Sequence, residues 1–388
     1  MTTRRRGYYH LVVVIVARQC VGGGAKRAED PWQAVRETLE EWPLMDNFAF
    51  SAGEYSERKF TFERGNVTMQ SVLPVMSASK FPAAVGIVNS LREGIVGFDD
   101  RACEIFEWWS CDSDDPRSRV TLRHLLSFRS GFVVPDDNYD VVDCLSLTKP
   151  DAAAWNYEIE SCARSVYDVG ITYEPGTTFD YNSFHLQIAG AIATVVANAS
   201  INDILDEYLF RPAGMSDRSY WSPRGAPNPH LAANLRITGD DYDAFLRAYL
   251  SYSILPRTVA DEMERDYLEK NVDVTRKSWF NVHSLGHYSM CNWYECLFNY
   301  GPTFRASCTE ANLHVDAGLY GWYPLLNRPD STYFQIVMAD IPKSANKTDL
   351  WAPTINAVRL RLAIKPRVDR ALAPPPPPPP PPSSSSPR

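Results

Sequence analysis

The most informative segment of this chain reads Val72-Leu73-Pro74-Val75-Met76-Ser77-Ala78-Ser79-Lys80. Its first five residues are apolar and predict a strand. Apolar residues then recur at spacings of three and four, which predicts a helix that Gly94 ends. Ser77 and Lys80 are three positions apart and share one face of that helix. A serine beside a lysine base suits nucleophilic catalysis, because a hydroxyl reacts poorly until its proton has an acceptor.

The same S-x-x-K spacing occurs at three other places, so the local context has to separate the candidates. These are Ser56–Lys59, Ser146–Lys149 and Ser344–Lys347. The first lies in a polar turn, the second leads into Pro150, which disfavours a helix there, and the third lies in a polar loop. Only Ser77 begins an amphipathic helix after an apolar run. The alternative is that Ser77 only caps that helix, as serines often do.

Four more segments, in chain order, complete a family pattern. Val120–Phe132 resembles the "T-x-R-H-L-L-x-H-x-S-G" helix of serine β-lactamase-like hydrolases, and Glu174–Ser183 resembles their "P-G-x-x-F-x-Y-S-N" segment. Glu207–Asp217 resembles "P-L-G-M-x-x-T", and Gly318–Pro324 resembles the glycine-rich start of the edge strand beside their active site. The resemblance covers roughly residues 48 to 362. It is closest to the class C β-lactamase, penicillin-binding-protein and carboxylesterase branch.

The resemblance implies roles for particular residues. Ser77 is the expected acylated nucleophile, and Lys80 and Tyr181 are expected to share the proton transfers, with the acylation base left open between them. For Lys80 this requires a pKa lowered by about three units through burial or a nearby charge. The N–H of Ser77, at a helix N-terminus, and by resemblance that of Leu319 would stabilise the oxyanion. Gly318 would let the backbone approach the substrate.

Two positions depart from the family pattern. Ser183 stands where the family usually has Asn, and it has less reach than an amide. Asp316-Ala317-Gly318 stands where the family has Lys-Thr-Gly or His-x-Gly, with His314 two residues upstream on the same strand face. His314 is the alternative occupant of the position, unless it is only a surface or capping histidine. An aspartate there disfavours substrates that carry a carboxylate.

The expected function is therefore a serine hydrolase that acts through a covalent acyl-enzyme on an ester or amide. The substrate would be a small molecule or peptide-like, and the protein would be related to β-lactamases without being a true β-lactamase. The alternative is a catalytically lapsed relative that serves as a secreted or cell-surface binding protein. The altered third motif and Ser183 favour that alternative.

Other chemistry finds little support in the sequence. A net charge of −8 disfavours a nucleic-acid partner. His283 and His287 have the i,i+4 spacing of a zinc pair, but no glutamate stands between them and no clear third ligand follows. We therefore expect no metal and no cofactor.

The two ends of the chain differ from its middle. Residues 1–22 predict a signal peptide, because Arg4-Arg5-Arg6 precedes the short apolar run Tyr8–Ala17; an ordinary basic N-terminus is the alternative. Residues 23–47 predict a lead-in helix, 48–365 the hydrolase domain, and 366–388 a disordered tail rich in proline and serine. We expect a protein without a transmembrane span that is secreted, retained in the lumen of the secretory pathway or displayed at the cell surface, and whose proline tail binds a partner or the cell wall.

Cysteine usage agrees with export. Seven cysteines remain after a signal peptide containing Cys20 is removed, so at least one is free or paired elsewhere. Plausible bridges are Cys103–Cys111, Cys144–Cys162 and Cys296–Cys308, although spacing does not fix the connectivity.

The order of elements predicts an α+β fold. Alternating strands are expected over 48–51, 59–63 and 67–72, and again over 287–291, 318–323 and 333–338, before a final helix over 350–362. Between them, roughly 95–275 predicts an all-helical subdomain. We expect an antiparallel sheet flanked by N- and C-terminal helices, with the site between the sheet and the helical subdomain, as the resemblance implies.

Overall fold

A large antiparallel sheet and surrounding helices define the fold in the computed structural model. The structure describes residues 30–93, 96–135, 141–146, 157–268, 271–275, 278, 286–295, 311–342 and 347–374. The strands are β1 (Phe48–Glu54), β2 (Arg58–Arg64), β3 (Leu73–Pro74), β4 (Thr178–Phe179), β5 (Tyr220–Trp221), β6 (Leu235–Ile237), β7 (Asp273–Val274), β8 (Gly286–Tyr288), β9 (Trp293–Glu295), β10 (Leu313–Val315), β11 (Tyr323–Asn327) and β12 (Thr332–Val337). The helices are α1 (Gln33–Glu40), α2 (Lys80–Glu93), α3 (Ala102–Ile105), α4 (Leu122–Leu126), α5 (Ile159–Val169), α6 (Phe184–Ala197), α7 (Ile201–Leu205), α8 (Arg211–Ala213), α9 (Gly239–Leu250), α10 (Arg257–Met263) and α11 (Lys347–Leu372).

Within the described residues, the large sheet has seven strands in the order β2-β1-β12-β11-β10-β9-β8. Each neighbouring pair is antiparallel, and the pairing of Ala49 with Val337 joins the two ends of the chain. Nearly every residue of β1 and β12 is buried, because α9 packs against both strands and α11 packs against β1 and β11. The predicted α+β class, with an antiparallel sheet and terminal helices, is confirmed.

Buried polar contacts fix the C-terminal helix on the sheet. The guanidinium of Arg361, on α11, donates to Glu295 on β9 through Nε at 2.6 Å, and the Tyr323 hydroxyl donates to the same carboxylate at 2.5 Å. Both members of this ion pair are at most 1% exposed. Removing one partner of such a pair leaves an uncompensated buried charge, so the contact anchors α11 strongly.

Helices and short strands fill the region between β2 and β8. Helix α6 is buried from Phe184 to Ala193 and packs against α2, α4, α5 and α7. Two small sheets pair short segments that are distant in sequence. The sheet β3-β6-β5 is antiparallel, and the sheet β4-β7 is parallel. In the described part of the chain, no single helix is long and apolar enough to cross a membrane. The bent pair Phe184–Ala197 and Ile201–Ala213 meets that criterion by length and composition only.

The strand predicted over 67–72 is wrong. Val67 makes only an isolated bridge with Arg64, and the chain then turns. Side-chain hydrogen bonds close this turn, because the Thr68 N–H donates to the Ser71 hydroxyl at 3.0 Å and the Gln70 N–H to the Thr68 hydroxyl at 3.2 Å. Such local bonds offer the backbone an alternative to pairing in a sheet.

The strand predicted over 318–323 is also wrong in its placement. Gly318 to Gly321 form the turn between β10 and β11, and the φ of +94° at Gly321 lies in the left-handed region that favours glycine. Strand β11 begins only at Tyr323. Strand β10 is not an edge strand, since β9 and β8 lie outside it.

The first and last described helices can be compared with the predicted domain boundaries. Helix α1 lies in the predicted lead-in segment, and α11 continues to Leu372, beyond the predicted helix end at 362 and domain end at 365. Pro353 and Pro366 lie inside α11. The predicted signal peptide and residues 375–388 of the predicted tail lie outside the described residues.

Two of the three predicted disulfides are confirmed. Cys103 bonds to Cys111, and Cys144 bonds to Cys162. The third predicted pair, Cys296–Cys308, lies outside the described residues. Cys291 is a free buried cysteine. Two disulfides are consistent with an extracellular or secretory location.

Candidate active site

Ser77 lies in a tight turn between β3 and α2. The Val75 N–H donates to the Leu235 carbonyl at 3.1 Å, which extends the pairing of β3 with β6 up to the turn. Residues Met76–Ser79 then form a 3-10 turn in which Met76 has a φ of +50°. Non-glycine residues adopt this conformation at a cost, and it persists where the surrounding structure enforces it. The turn leaves Ser77 only partly buried.

Lys80 reaches back from the first turn of α2 to Ser77. Its Nζ lies 3.0 Å from the Ser77 Oγ and donates to the Ala232 carbonyl at 2.8 Å. The side chain is only 4% exposed. Burial lowers the pKa of Lys80 from 10.5 to about 8, although the negative charge of Asp316 acts in the opposite direction. This is most of the shift that a lysine base requires near neutral pH.

Tyr181 lies close to the Lys80 ammonium. The Lys80 Nζ is 4.8 Å from the centre of the Tyr181 ring, a distance at which a cation is attracted to an aromatic face. The ring also packs at 5.2 to 5.8 Å against a cluster formed by Phe128, Tyr288 and Trp293. The segment after β4 therefore brings Tyr181 to the lysine of the S-x-x-K turn.

The segment from Asn228 to Ala232 forms another wall of the site, and no sequence motif marks it. Gln187, on α6, donates to the Asn228 side chain at 2.6 Å and to the Pro229 carbonyl at 3.0 Å. These bonds hold the segment so that the Ala232 carbonyl can accept from Lys80. His230 is 4% exposed, and neither ring nitrogen has a hydrogen-bond partner in the described structure. Burial and the charge of Lys80 lower its pKa to about 4.

Ser183 is placed beside Tyr181 but does not replace the family's asparagine as a contact of Lys80. It precedes α6 and is 8% exposed, and among the described residues the hydrogen bonds of Lys80 go to Ser77 and Ala232. Asn182 is used elsewhere, since its side chain donates to the Phe132 carbonyl at 3.0 Å and accepts from the Phe184 N–H at 2.8 Å. A contact of Ser183 with the substrate stays a prediction.

Asp316 follows β10 and lies against the start of α2. Its Oδ2 accepts from the Phe81 N–H at 2.9 Å, and the residue is 2% exposed. The first N–H groups of a helix have no partner within the helix, so this carboxylate satisfies one of them. Burial raises the pKa of Asp316 well above its usual value, against the opposing effect of the Lys80 charge.

His314 lies inside the sheet layer, away from this constellation. Its Nδ1 is 2.8 Å from the Asn292 Oδ1, and its Nε2 is 2.9 Å from the Asn312 Oδ1. It is 1% exposed and packs on the Tyr294 ring at 4.4 Å. None of its contacts in the described chain is to Ser77, Lys80 or Tyr181. Of the two alternative occupants of the third-motif position, Asp316 contacts the start of α2 and His314 contacts two asparagines.

Gly318 brings the sheet against the turn that carries Ser77. A Cβ at Gly318 would lie 2.1 Å from the Val75 carbonyl oxygen, so only glycine permits this approach. The Thr354 hydroxyl, on α11, donates at 3.1 Å to the Gly318 carbonyl and at 3.0 Å to the Leu319 carbonyl. The candidate site is therefore assembled from the start of α2, the helical region and the turn after β10.

The described residues offer no site for a metal ion. No group of three or more His, Cys, Asp or Glu side chains is arranged to hold a metal ion there. His287 instead lies 2.8 Å from the Asp266 carboxylate through its Nδ1. The other histidine of the i,i+4 pair, His283, lies outside the described residues.

Residues 51–283 match the Beta-lactamase family, which is more than half of the chain. The protein therefore belongs to the β-lactamase family. Over 152 residues it is 28% identical to penicillin-binding protein 4 of Amycolatopsis lactamdurans. That alignment covers 38% of this chain and 36% of the relative, so the chain matches only about a third of the length of this curated protein.

Solved structures share the fold across most of the chain. A putative β-lactamase from Bacteroides dorei superposes with a TM-score of 0.68 at 22% identity, covering 87% of this chain and 99% of that one. EstCE1, a hydrolase with promiscuous acyltransferase activity, superposes with a TM-score of 0.63 at 13% identity, covering 87% and 98%. At these identities the likeness establishes the fold.

Proposed function

We propose that the protein is a serine hydrolase that cleaves an ester or amide through an acyl-enzyme on Ser77. The observation that carries this proposal is the 3.0 Å contact between the Lys80 Nζ and the Ser77 Oγ in a buried setting. Burial favours the neutral amine, which is the form that can accept the hydroxyl proton. The family includes enzymes, and EstCE1 is described as a hydrolase, so the proposed chemistry is compatible with this fold.

The proposed reaction has two halves. In the first, Lys80 takes the Ser77 proton while Oγ bonds to the substrate carbonyl carbon, and the leaving alcohol or amine departs with a proton returned from Lys80 or Tyr181. In the second, water loses a proton to the same groups, attacks the acyl carbon and releases the acid and Ser77. The N–H groups of Ser77 and Leu319 are the proposed donors to the oxyanion. The contact distance supports Lys80 as the acylation base, with Tyr181 assisting.

The proposed substrate is a neutral ester or amide. Asp316 is the residue that bears on this choice, because it stands where the family pattern has a lysine or histidine, so that cation is not there to pair with a substrate carboxylate. This disfavours β-lactams and peptides that end in a free carboxylate. Activity on penicillins is accordingly expected to be weak or absent.

Replacing Ser77 with alanine tests the proposed nucleophile. The wild type is expected to hydrolyse p-nitrophenyl acetate and to react with a fluorophosphonate probe at Ser77, as located by peptide mass spectrometry. Ser77→Ala should lose both reactions, because no other hydroxyl contacts Lys80 among the described residues. Ser56→Ala is the matched control, since Ser56 has the same spacing to Lys59 but lies in an exposed turn. Probe attached to another serine, or turnover retained by Ser77→Ala, would refute the assignment.

The competing proposal is a lapsed enzyme that binds a ligand without turning it over. Ser183, which does not contact Lys80, and the acidic Asp316 favour it. The same assay separates the two proposals: a folded wild type that neither hydrolyses the ester nor accepts the probe supports the binding protein.

A further inference from the structure

Ser79 lies within the S-x-x-K turn, two residues after the candidate nucleophile, and the proposed reaction leaves it without a role. Its side chain is fully buried, so a substrate cannot reach it. Its hydroxyl group donates to the Met76 carbonyl at 2.6 Å and accepts from the Leu235 N–H, on β6, at 3.1 Å. The hydroxyl group therefore links the turn to the small sheet beside it.

The carbonyl that accepts from Ser79 belongs to the same peptide group as the Ser77 N–H. Because this peptide bond is planar and trans, the Met76 carbonyl and the Ser77 N–H lie in one plane and point in opposite directions. A hydrogen bond that fixes the carbonyl therefore fixes the direction of the N–H. It also polarises the peptide group, since hydrogen bonds that are joined in a chain strengthen one another.

The backbone of Met76 depends on such contacts. Its φ of +50° lies in the left-handed region, which costs a non-glycine residue free energy and persists where neighbouring contacts enforce it. The next peptide groups of the turn are also held. The Ala78 N–H donates to the Val75 carbonyl at 3.1 Å, and the Ala78 carbonyl accepts from the Tyr242 hydroxyl at 3.0 Å. The turn is thus fixed by side chains as well as by its own backbone.

A serine in the helix that follows makes a similar contact with a structural role only. Ser90, on α2, is buried and donates to the Ile87 carbonyl, three residues back, at 2.8 Å. Serine often bonds to the preceding turn of a helix in this way. Ser79 differs because its hydroxyl group also accepts from Leu235, and because the peptide group that it holds carries the N–H of the candidate nucleophile.

We propose that Ser79 is a positioning residue that orients and polarises the Ser77 N–H as a donor to the oxyanion. This inference rests on the proposed function, because it adds a residue to the machinery of the same reaction. A donor to the oxyanion is effective when it is aimed, before the reaction, at the place where charge develops. The chain of hydrogen bonds from Leu235 through Ser79 to Met76 keeps the N–H group aimed in this way.

Ser79→Ala tests the proposal, because it removes the hydroxyl group and leaves Ser77 and Lys80 in the chain. We expect kcat/KM for p-nitrophenyl acetate, per site labelled by the fluorophosphonate probe, to fall about 10- to 100-fold. This is less than the loss of a whole donor, because the N–H is misdirected rather than removed. A boronic acid, whose boron bonds to the serine Oγ and becomes tetrahedral like the transition state, should lose affinity by a similar factor.

Ser90→Ala is the matched control, since it removes another buried hydroxyl group that bonds three residues back. It should lower the unfolding midpoint and leave kcat/KM per labelled site unchanged. Ser79→Cys keeps a weaker donor of similar shape, so its activity should lie between those of the wild type and Ser79→Ala. It also provides the test if the alanine variant does not fold. Wild-type kcat/KM per labelled site in the folded Ser79 variants would overturn the proposed role.

A second readout does not depend on turnover. The dipeptide Met-Ser occurs twice in the sequence, at 76–77 and 215–216, so carbonyl-¹³C methionine combined with ¹⁵N serine selects two amide signals. The Ser77 signal, assigned by its loss in Ser77→Ala, should move upfield in nitrogen in Ser79→Ala, because the peptide group is less polarised. The Ser216 signal is the internal reference and should keep its position.

The two readouts separate this proposal from the proposed function. If the wild type neither hydrolyses the ester nor accepts the probe while the Ser77 signal moves in Ser79→Ala, the proposed function fails and Ser79 still orients the peptide group. If the wild type is active and the Ser77 signal keeps its position in Ser79→Ala, the role of Ser79 is overturned and the proposed function stands.

Discussion

At the residue scale, the chemistry of the site depends on one buried amine. Replacing Lys80 with methionine keeps an unbranched side chain of similar length and removes the proton acceptor. We expect kcat/KM for p-nitrophenyl acetate to fall about 10²- to 10⁴-fold, the usual contribution of a general base. The fold should be retained, because methionine fills a site that is only 4% exposed without burying a charge.

The pH profile of the wild type provides a second check on Lys80. Because burial lowers the pKa of Lys80 to about 8, kcat/KM should rise with pH through that midpoint as the ammonium loses its proton. Lys59→Met is the control, since Lys59 is the exposed lysine of another S-x-x-K spacing and pairs with Glu57. A profile that is flat between pH 6 and 9 would contradict the role given to Lys80.

Sequence alone predicts from helical spacing that Ser77 and Lys80 share a face, and the 3.0 Å between the Lys80 Nζ and the Ser77 Oγ agrees with that spacing. It could not find the Ala232 carbonyl or His230, which approach Lys80 from a segment about 150 residues away and carry no motif. The register of β10 allowed either His314 or Asp316 to face the site. Tertiary packing decided that choice, through the bonds of His314 to two asparagines and of Asp316 to α2.

At the scale of elements, the approach of the β10–β11 turn to the Ser77 turn has little tolerance. Gly318→Ala would place a methyl group 2.1 Å from the Val75 carbonyl oxygen, so one of the two turns must move. We expect a loss of about 1–3 kcal/mol in the free energy of unfolding, as for overpacked sites, together with a marked loss of esterase activity. Gly97→Ala is the control, because its Cβ would meet only Asp100 at 3.7 Å or more. Denaturant unfolding and ester hydrolysis measure both effects, and equal stability of the two variants would count against this packing.

Long periodic elements were predictable from the sequence, and short ones were not. The apolar periodicity after Lys80 located α2, and alternation located β1 and β2. The two-residue strands β4, β5 and β7 exist only through pairing with distant partners, so they leave no local pattern, whereas β3 lies within the apolar run 72–76 that predicts a strand. The misplaced strand at Gly318 reflects a turn whose glycines serve close approach and a positive φ rather than pairing.

At the scale of the whole molecule, buried neutral histidines make the fold sensitive to acid. Burial lowers the pKa values of His124, His230 and His314 to about 4. Between pH 6.5 and 4 the unfolded chain binds protons at these positions that the folded chain does not, so stability falls as pH falls through this window. At pH 5, each such histidine lowers the free energy of unfolding by about 2 kcal/mol.

His230→Leu isolates one of these contributions. Leucine removes two buried nitrogens without partners, so the free energy of unfolding should be larger for the variant than for the wild type at pH 7. At pH 5 this difference should be about 2 kcal/mol larger still. Guanidinium denaturation at the two pH values measures the difference. A variant that loses as much stability on acidification as the wild type would show that His230 is not a source of the acid sensitivity.

The overall layout followed from the order of elements, because strands at both ends of the sequence with helices between them favour an α+β fold. The sequence did not reveal that β1 pairs with β12 rather than only with its neighbour β2, since pairing register has no signal in a single chain.

That pairing has a consequence for biosynthesis. Strand β1 emerges early, but its partner β12 is made roughly 290 residues later, which at about 5–20 residues per second means a wait on the order of 15–60 s. During this interval one edge of β1 has no strand partner. Such an edge is prone to aggregation in a nascent chain, so we expect chaperones to protect it. The loop bearing Asp316 and Gly318 is also synthesised after Ser77 and Lys80, so the proposed site is incomplete until that loop has emerged.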